Sequence, residues 1–273
     1  MRYLVFLTLV ITGCAQLSGS TENEKIEERT SGGNNHFAFQ LYERLDEGER
    51  NLFYSPYSIT SALAMTYVGA EANTLDEMSD VLGFLKDKEA NSIQFQALQS
   101  HLSDLEGKGL QLKIANSLWG QEDYAFKRQF LNANRDFFSA GIRQVDFRRH
   151  HQEVRDRINQ WVEKQTNNKI QDLIAEGVLD RMTRMVLVNA IYFNGKWEHP
   201  FDKEKTQLDV FMSTTGKKVK VPFMNQPVRL PYYEDELLQA VSIPYAGKKM
   251  SMVILLPRER SFLKKLENKL DTA

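Results

Sequence analysis

One cysteine in 273 residues, Cys14, excludes an intramolecular disulfide and any metal site built on several thiolates. A formal net charge of -1 removes any global pull toward nucleic acid or an anionic membrane. The sequence has no Asn-x-Ser/Thr sequon, which is compatible with a prokaryotic source. It also lacks a Gly-x-Ser-x-Gly elbow, a His-Glu-x-x-His pair, a phosphate loop and a dinucleotide fingerprint. Internal repeats, heptads and an interdomain linker are missing too. His150, His151 and Glu153 are the nearest approach to a metal cluster, but Arg148, Arg149, Gln152 and Arg155 make them the solvated start of a basic helix. That basic run is interrupted by Glu153 and Asp156 and carries no interleaved aromatic platform, so it does not read as a nucleic-acid patch. No enzyme constellation, cofactor or metal site is expected.

What is present is a globular composition, 42% apolar and 26% charged, with ample material for a core. The N-terminus reads as an export signal. Arg2 is a short basic region, and Tyr3 to Ile11 is an apolar stretch too short to span a bilayer comfortably. Ile11-Thr12-Gly13-Cys14 then resembles a prokaryotic lipobox, with Cys14 as the lipidated residue that would attach the protein to the membrane. An ordinary signal peptide with an incidental cysteine is the alternative. Three regions are therefore expected: a signal over 1–14, a flexible polar tether over 15–35, and one folded domain over 36–273. An exported protein, either a cell-envelope lipoprotein or extracellular, follows from that reading.

Within the domain, Phe37, Leu41 and Leu45 fall on one face of a first helix. Asn51 to Tyr54 reads as a short strand. Ser55 is placed to cap a helix that begins at Pro56 and runs, apolar on most sides, to Val68. Thr74 and Glu77 have capping-box spacing before a helix that ends at Gly83. Leu98, Leu102 and Leu105 align on another. Leu110 to Trp119 alternates as a strand, and Val145 and Phe147 point inward from a shorter one. Val154, Ile158, Trp161 and Val162 give a one-faced helix suited to lie across a sheet. Strand patterns dominate after Phe201, including a hairpin about Ala246-Gly247-Lys248. Helices early and strands late, without steady alternation, predict an α+β fold.

Arg184 to Phe201 stands apart. Met185 to Phe193 is a nearly continuous apolar run ended by Asn194-Gly195, the pattern of a strand buried on both faces. Asn189 alone interrupts it, and a buried amide needs partners. Val188-Asn-Ala-Ile-Tyr-Phe-Asn-Gly-Lys-Trp197, Asn51-Leu-Phe-Tyr-Ser-Pro-Tyr-Ser-Ile-Thr-Ser-Ala-Leu-Ala-Met65, the spaced set Phe201, Thr206, Phe211, Val221 and Met224, and Tyr245 to Pro257 together resemble the serpins. The match runs in order from about residue 34 to the last.

The resemblance implies helices packed around a large central mixed sheet, with further sheets beside it. It implies a monomeric inhibitor of serine, or sometimes cysteine, proteases. The reactive loop is cleaved as a substrate and inserts as a new strand before the acyl-enzyme is hydrolysed. Met185, Val186, Leu187, Val188, Asn189, Ala190, Ile191, Tyr192 and Phe193 would be the strand beside which the loop inserts, with Trp197 at the top of the sheet. Ser55, Ser58 and Asn189 would form the polar cluster under the opening point, although the histidine that normally completes it has no counterpart in the sequence. The family's alanine-rich hinge, reactive loop and closing strands would follow Ala273. The resemblance therefore implies an incomplete serpin domain, no assignable reactive bond, and a polypeptide inactive as it stands. A non-inhibitory binding protein of the same fold is the second reading.

Overall fold

The computed structural model of the chain describes residues 4–6, 22–46, 51–213 and 216–270, with side chains from Asn34 onward except that of Arg260. Cys14 and most of the expected export signal lie outside the described residues. Three residues of its apolar stretch, Leu4–Phe6, form strand β1. The first helix, α1, spans Glu22–Leu45 and so begins well inside the stretch 15–35 expected as a tether. Its glutamates and lysine are good helix formers and no proline interrupts them, so polarity alone was a poor guide to structure there.

Helices α2 (Pro56–Tyr67), α3 (Ala72–Leu82) and α4 (Lys88–Asp104) follow. Strand β2 (Leu110–Gln121), helix α5 (Arg128–Phe138), strand β3 (Ile142–Val145), helix α6 (Phe147–Gln165) and strand β4 (Met185–Gly195) complete the central region. Strands β5 (Gln207–Met212) and β6 (Lys218–Phe223) pair with each other. The last strands are β7 (Tyr232–Glu234), β8 (Leu238–Pro244) and β9 (Ser251–Pro257), before the short helix α7 (Leu263–Glu267).

The class is α+β, as expected. The central sheet has the order β3-β2-β4 and is mixed, because β3 runs parallel to β2 and β4 antiparallel to it. A second sheet has the order β1-β9-β8-β7. Two layers enclose the central sheet. On one side α6 presents Val154, Ile158 and Val162, each at most 1% exposed, to Trp119, Val188 and Ala190. Complete burial of each such side chain contributes roughly 1.5–3 kcal/mol. On the other side α2 joins α1, α3, α4 and α5 around Met65, Tyr67, Phe95 and Phe138. A third cluster, with Leu98, Leu102, Leu112 and Tyr245, links α4 and β2 to the β8–β9 hairpin.

Several local expectations change. Asn51 to Tyr54 pairs with no strand among the described residues, and Phe53 is 93% exposed. Tyr54 instead donates its hydroxyl to the Ala38 carbonyl at 2.6 Å. The Thr74–Glu77 spacing is not used as a cap, since α3 starts earlier, behind Glu71, with no side-chain cap bond. Phe147 is fully buried but opens α6 rather than ending a strand. Asp146 accepts from the Arg148 and Arg149 N–H groups and fixes the helix start there.

Candidate functional site

The site is β4 and what surrounds it. Leu187 packs toward α2, and Ile191 and Phe193 toward the cluster of α4 and Tyr245. Val186, Val188 and Ala190 pack under α6. The strand is therefore covered on both faces along its middle, as its apolar run predicted. Only Val188 and Ala190 are buried, however, and the rest are half-buried or more open. The reason is the edge. β4 pairs with β2 alone among the described residues.

The register shows what that edge offers. Gln121 N–H donates to the Arg184 carbonyl at 2.8 Å, and Lys196 N–H to the Gly109 carbonyl at 2.7 Å, at the two ends of the β2–β4 ladder. Antiparallel partners alternate between bonded and non-bonded pairs. The even-numbered residues of β4 therefore address β2. Met185, Leu187, Asn189, Ile191 and Phe193 turn their backbone N–H and C=O groups to the open edge.

Beneath that edge lies a relay of side-chain hydrogen bonds. Ser58 of α2 donates its hydroxyl to Asn189 Oδ1. Asn189 Nδ2 donates to Asn116 Oδ1 at 2.7 Å, and Asn116 stands directly opposite on β2. Asn116 Nδ2 in turn donates to the Phe138 carbonyl at 3.1 Å and to Gln99 Oε1 at 3.3 Å. One polar chain thus ties α2, β4, β2, α4 and the end of α5 together. Ser55 does not enter it directly. Its hydroxyl accepts from the Ser58 N–H at 3.2 Å and caps α2, which positions Ser58. Asn116 and Gln99 escaped the sequence reading. The available signal was a polar residue inside an apolar strand, the same signal that singled out Asn189, but only the register reveals the pair.

Trp197 ends the strand region. Its ring stacks on Tyr245 with centroids 4.7 Å apart and an angle of 10°, and meets Phe201 edge-on at 6.1 Å. Trp197 and Tyr245 also form an isolated backbone bridge. Gly195 makes the close approach possible, since a Cβ there would lie 2.6 Å from Tyr245 Cδ1 and 2.9 Å from Phe193 Cζ. Burial raises the Tyr245 phenol above its ordinary pKa. The Tyr192 phenol, on the opposite face, is lowered by the Asn194 amide that donates to it at 3.1 Å.

No group of three or more His, Cys, Asp or Glu side chains among the described residues is placed to hold a metal ion. His150 contacts Glu153 at 3.3 Å on the exposed start of α6. No described helix is long and apolar enough to cross a membrane. The chemistry within reach of β4 is backbone pairing: a strip of donors and acceptors, unpaired among the described residues, between two covered faces.

Comparison with known proteins agrees with this architecture. A family profile described as Serpin (serine protease inhibitor) matches residues 32–273. An uncharacterized serpin-like protein of Thermococcus kodakarensis is 37% identical over 230 residues, which cover 84% of this chain and 53% of that protein. The human leukocyte elastase inhibitor is 38% identical over 251 residues, covering 89% of this chain and 66% of the inhibitor. The structure of emu (Dromaius novaehollandiae) ovalbumin superposes with a TM-score of 0.82 at 28% identity, over 89% of this chain and 67% of ovalbumin. The chain thus spans between about half and two thirds of the length of these relatives.

Proposed function

The chain belongs to the serpin family, and on that premise we propose that it serves a suicide inhibitor of serine proteases in which the open edge of β4 receives the cleaved reactive loop. The observation that carries this reading is the combination at β4. Both faces are covered by α2 and α6, one edge is paired with β2, and the other edge leaves alternate backbone groups unpaired among the described residues. A slot of that kind has one natural occupant, an extended strand, which satisfies the edge without disturbing either face.

In the proposed sequence, the protease attacks an exposed loop and forms an acyl-enzyme. The loop, freed at one end, pairs with Met185, Leu187, Asn189, Ile191 and Phe193 and carries the bound protease along the sheet. The relay from Ser58 through Asn189 to Asn116 holds α2 and the two strands in place under the point where the sheet opens. Trp197, fixed by its stack on Tyr245, marks the end from which insertion proceeds. Inhibition then depends on insertion outrunning hydrolysis of the acyl bond, so the uncleaved state must be held short of its most stable pairing. None of the described residues is assigned the cleaved bond.

The test is a covalent trap. The protein, expressed from its full natural reading frame and mixed with a trypsin-, chymotrypsin- or elastase-type protease, is expected to give a complex that survives SDS. Cleavage without any such complex would reject inhibition and leave a non-inhibitory binding protein of the same fold.

Export with a lipid anchor at Cys14 is part of the proposal and rests on the N-terminal sequence alone. Cells expressing the protein are expected to incorporate labelled palmitate into it, and the Cys14→Ser variant to lose the label. No label in the parent protein would return it to an ordinary secreted product.

A further inference from the structure

On the far side of the central sheet, two arginines converge on one buried tryptophan. Trp119 of β2 is 3% exposed, and Arg143 of β3 is its direct partner in the parallel register. The Arg143 guanidinium carbon lies 5.3 Å from the Trp119 ring centroid and 5.9 Å from that of Trp161 on α6. Arg157, one helical turn before Trp161, approaches the Trp119 ring at 5.8 Å. A guanidinium over a ring is attracted by the ring's quadrupole, and those N–H groups of its fork that have no protein partner can meet an oxygen ligand.

The charge balance distinguishes this pair from the other arginines nearby. Arg148 pairs with Asp123, Arg149 with Asp146 and Arg155 with Asp156. Neither Arg143 nor Arg157 has a carboxylate within 4.0 Å among the described residues; Arg143 makes only a 3.3 Å bond from Nε to Ser117 Oγ. A second observation points the same way. Trp119 Nε1 is buried without a hydrogen-bond acceptor, a state that costs free energy and is rare in folded proteins. Ser117 Oγ accepts from Arg143, and no acceptor among the described residues reaches Trp119 Nε1.

We propose that Arg143 and Arg157 form a binding site for a small oxyanion, of the carboxylate, sulfate or phosphate class, at the junction of β3 and α6. The anion offsets the repulsion between two cations held near one ring and accepts from those guanidinium N–H groups that no described protein group uses. It joins the outer strand of the central sheet to the helix that covers it, so occupancy stabilises the docked position of α6 by mass action. The site lies on the β3 side of the sheet, the edge opposite β4, and does not depend on the proposed inhibitory role.

The experiment is a titration of the whole chain with sodium sulfate, phosphate or acetate against chloride at matched ionic strength, read by tryptophan emission and by the thermal midpoint. At least one oxyanion is expected to saturate both signals, and the comparison among the three identifies the preferred class. Sulfate and phosphate also stabilise proteins without a site, so the variants decide. Arg157→Gln is expected to weaken the saturable response about tenfold or more, the loss of one charge-assisted contact. Arg143→Lys keeps the charge but removes the planar fork and is expected to weaken it as well. Arg155→Gln, which removes a guanidinium already paired with Asp156, is expected to leave it unchanged. A response that does not saturate, or one equal in the parent and in Arg157→Gln, would overturn the site.

Discussion

Asn189→Leu is expected to lower the unfolding free energy of the chain by about 2–4 kcal/mol, well beyond an ordinary change at a half-buried strand position. Leucine suits a strand between two apolar layers, so shape and propensity do not supply the loss. The loss comes from the partners. Ser58 Oγ–H is left without its acceptor and Asn116 Oδ1 without its donor, and each orphaned group costs about 1–3 kcal/mol, toward the lower end where water reaches it. Ser58→Ala removes the first link of the relay and leaves Asn189 bonded to Asn116, so about 1 kcal/mol is expected. The double variant should cost less than the sum of the two single ones, because both act on the same bond. Urea unfolding of the four proteins gives these differences directly. A cost for Asn189→Leu no larger than that for Ser58→Ala would mean that the relay does not hold the sheet to α2.

The relay also shows where sequence reading succeeds and where it stops. The apolar run from Met185 to Phe193 announced a strand covered on both faces, and α2 and α6 cover it. The spacing of Val154, Ile158 and Val162 announced a helix lying across a sheet, because periodicity reports burial and those three are buried. Asn189 stood out as the lone polar residue in its run. Its partners did not, because Asn116 and Ser58 are separated from it by 73 and 131 residues and meet it only through register and packing.

Local patterns misled where a competing contact was stronger. The Thr74–Glu77 spacing lost to an earlier helix start behind Glu71. Asn51 to Tyr54 has strand-like residues but pairs with no strand among the described residues, and Tyr54 reaches the Ala38 carbonyl of α1 instead. Phe147, expected to point inward from a short strand, opens α6 instead, because the carboxylate of Asp146 caps two backbone N–H groups there. The unpaired edge of β4 was legible only through the family resemblance, since an apolar run does not say how many of its edges are paired.

The second large effect expected is an odd–even asymmetry of proline along β4. Leu187 directs its N–H to the open edge, whereas Val188 directs its own to β2. Proline at 188 removes a ladder bond from the interior of the central sheet, and proline at 187 removes none. Both substitutions also truncate packing, so each is judged against alanine at the same position. Val188→Pro is expected to cost about 3 kcal/mol or more beyond Val188→Ala, and Leu187→Pro no more than about 1 kcal/mol beyond Leu187→Ala. The same parity should mark amide hydrogen exchange in the unsubstituted chain, with Leu187, Asn189 and Ile191 exchanging faster than Val188 and Ala190. For function the order reverses. Leu187→Pro deletes one of the donors that an incoming strand would use, so under the proposed mechanism it should shift the outcome with a protease from trapped complex toward cleaved, released protein. Equal costs at 187 and 188, together with uniform exchange along the strand, would show that both edges of β4 are paired in solution, and the slot on which the inhibitory reading rests would not exist.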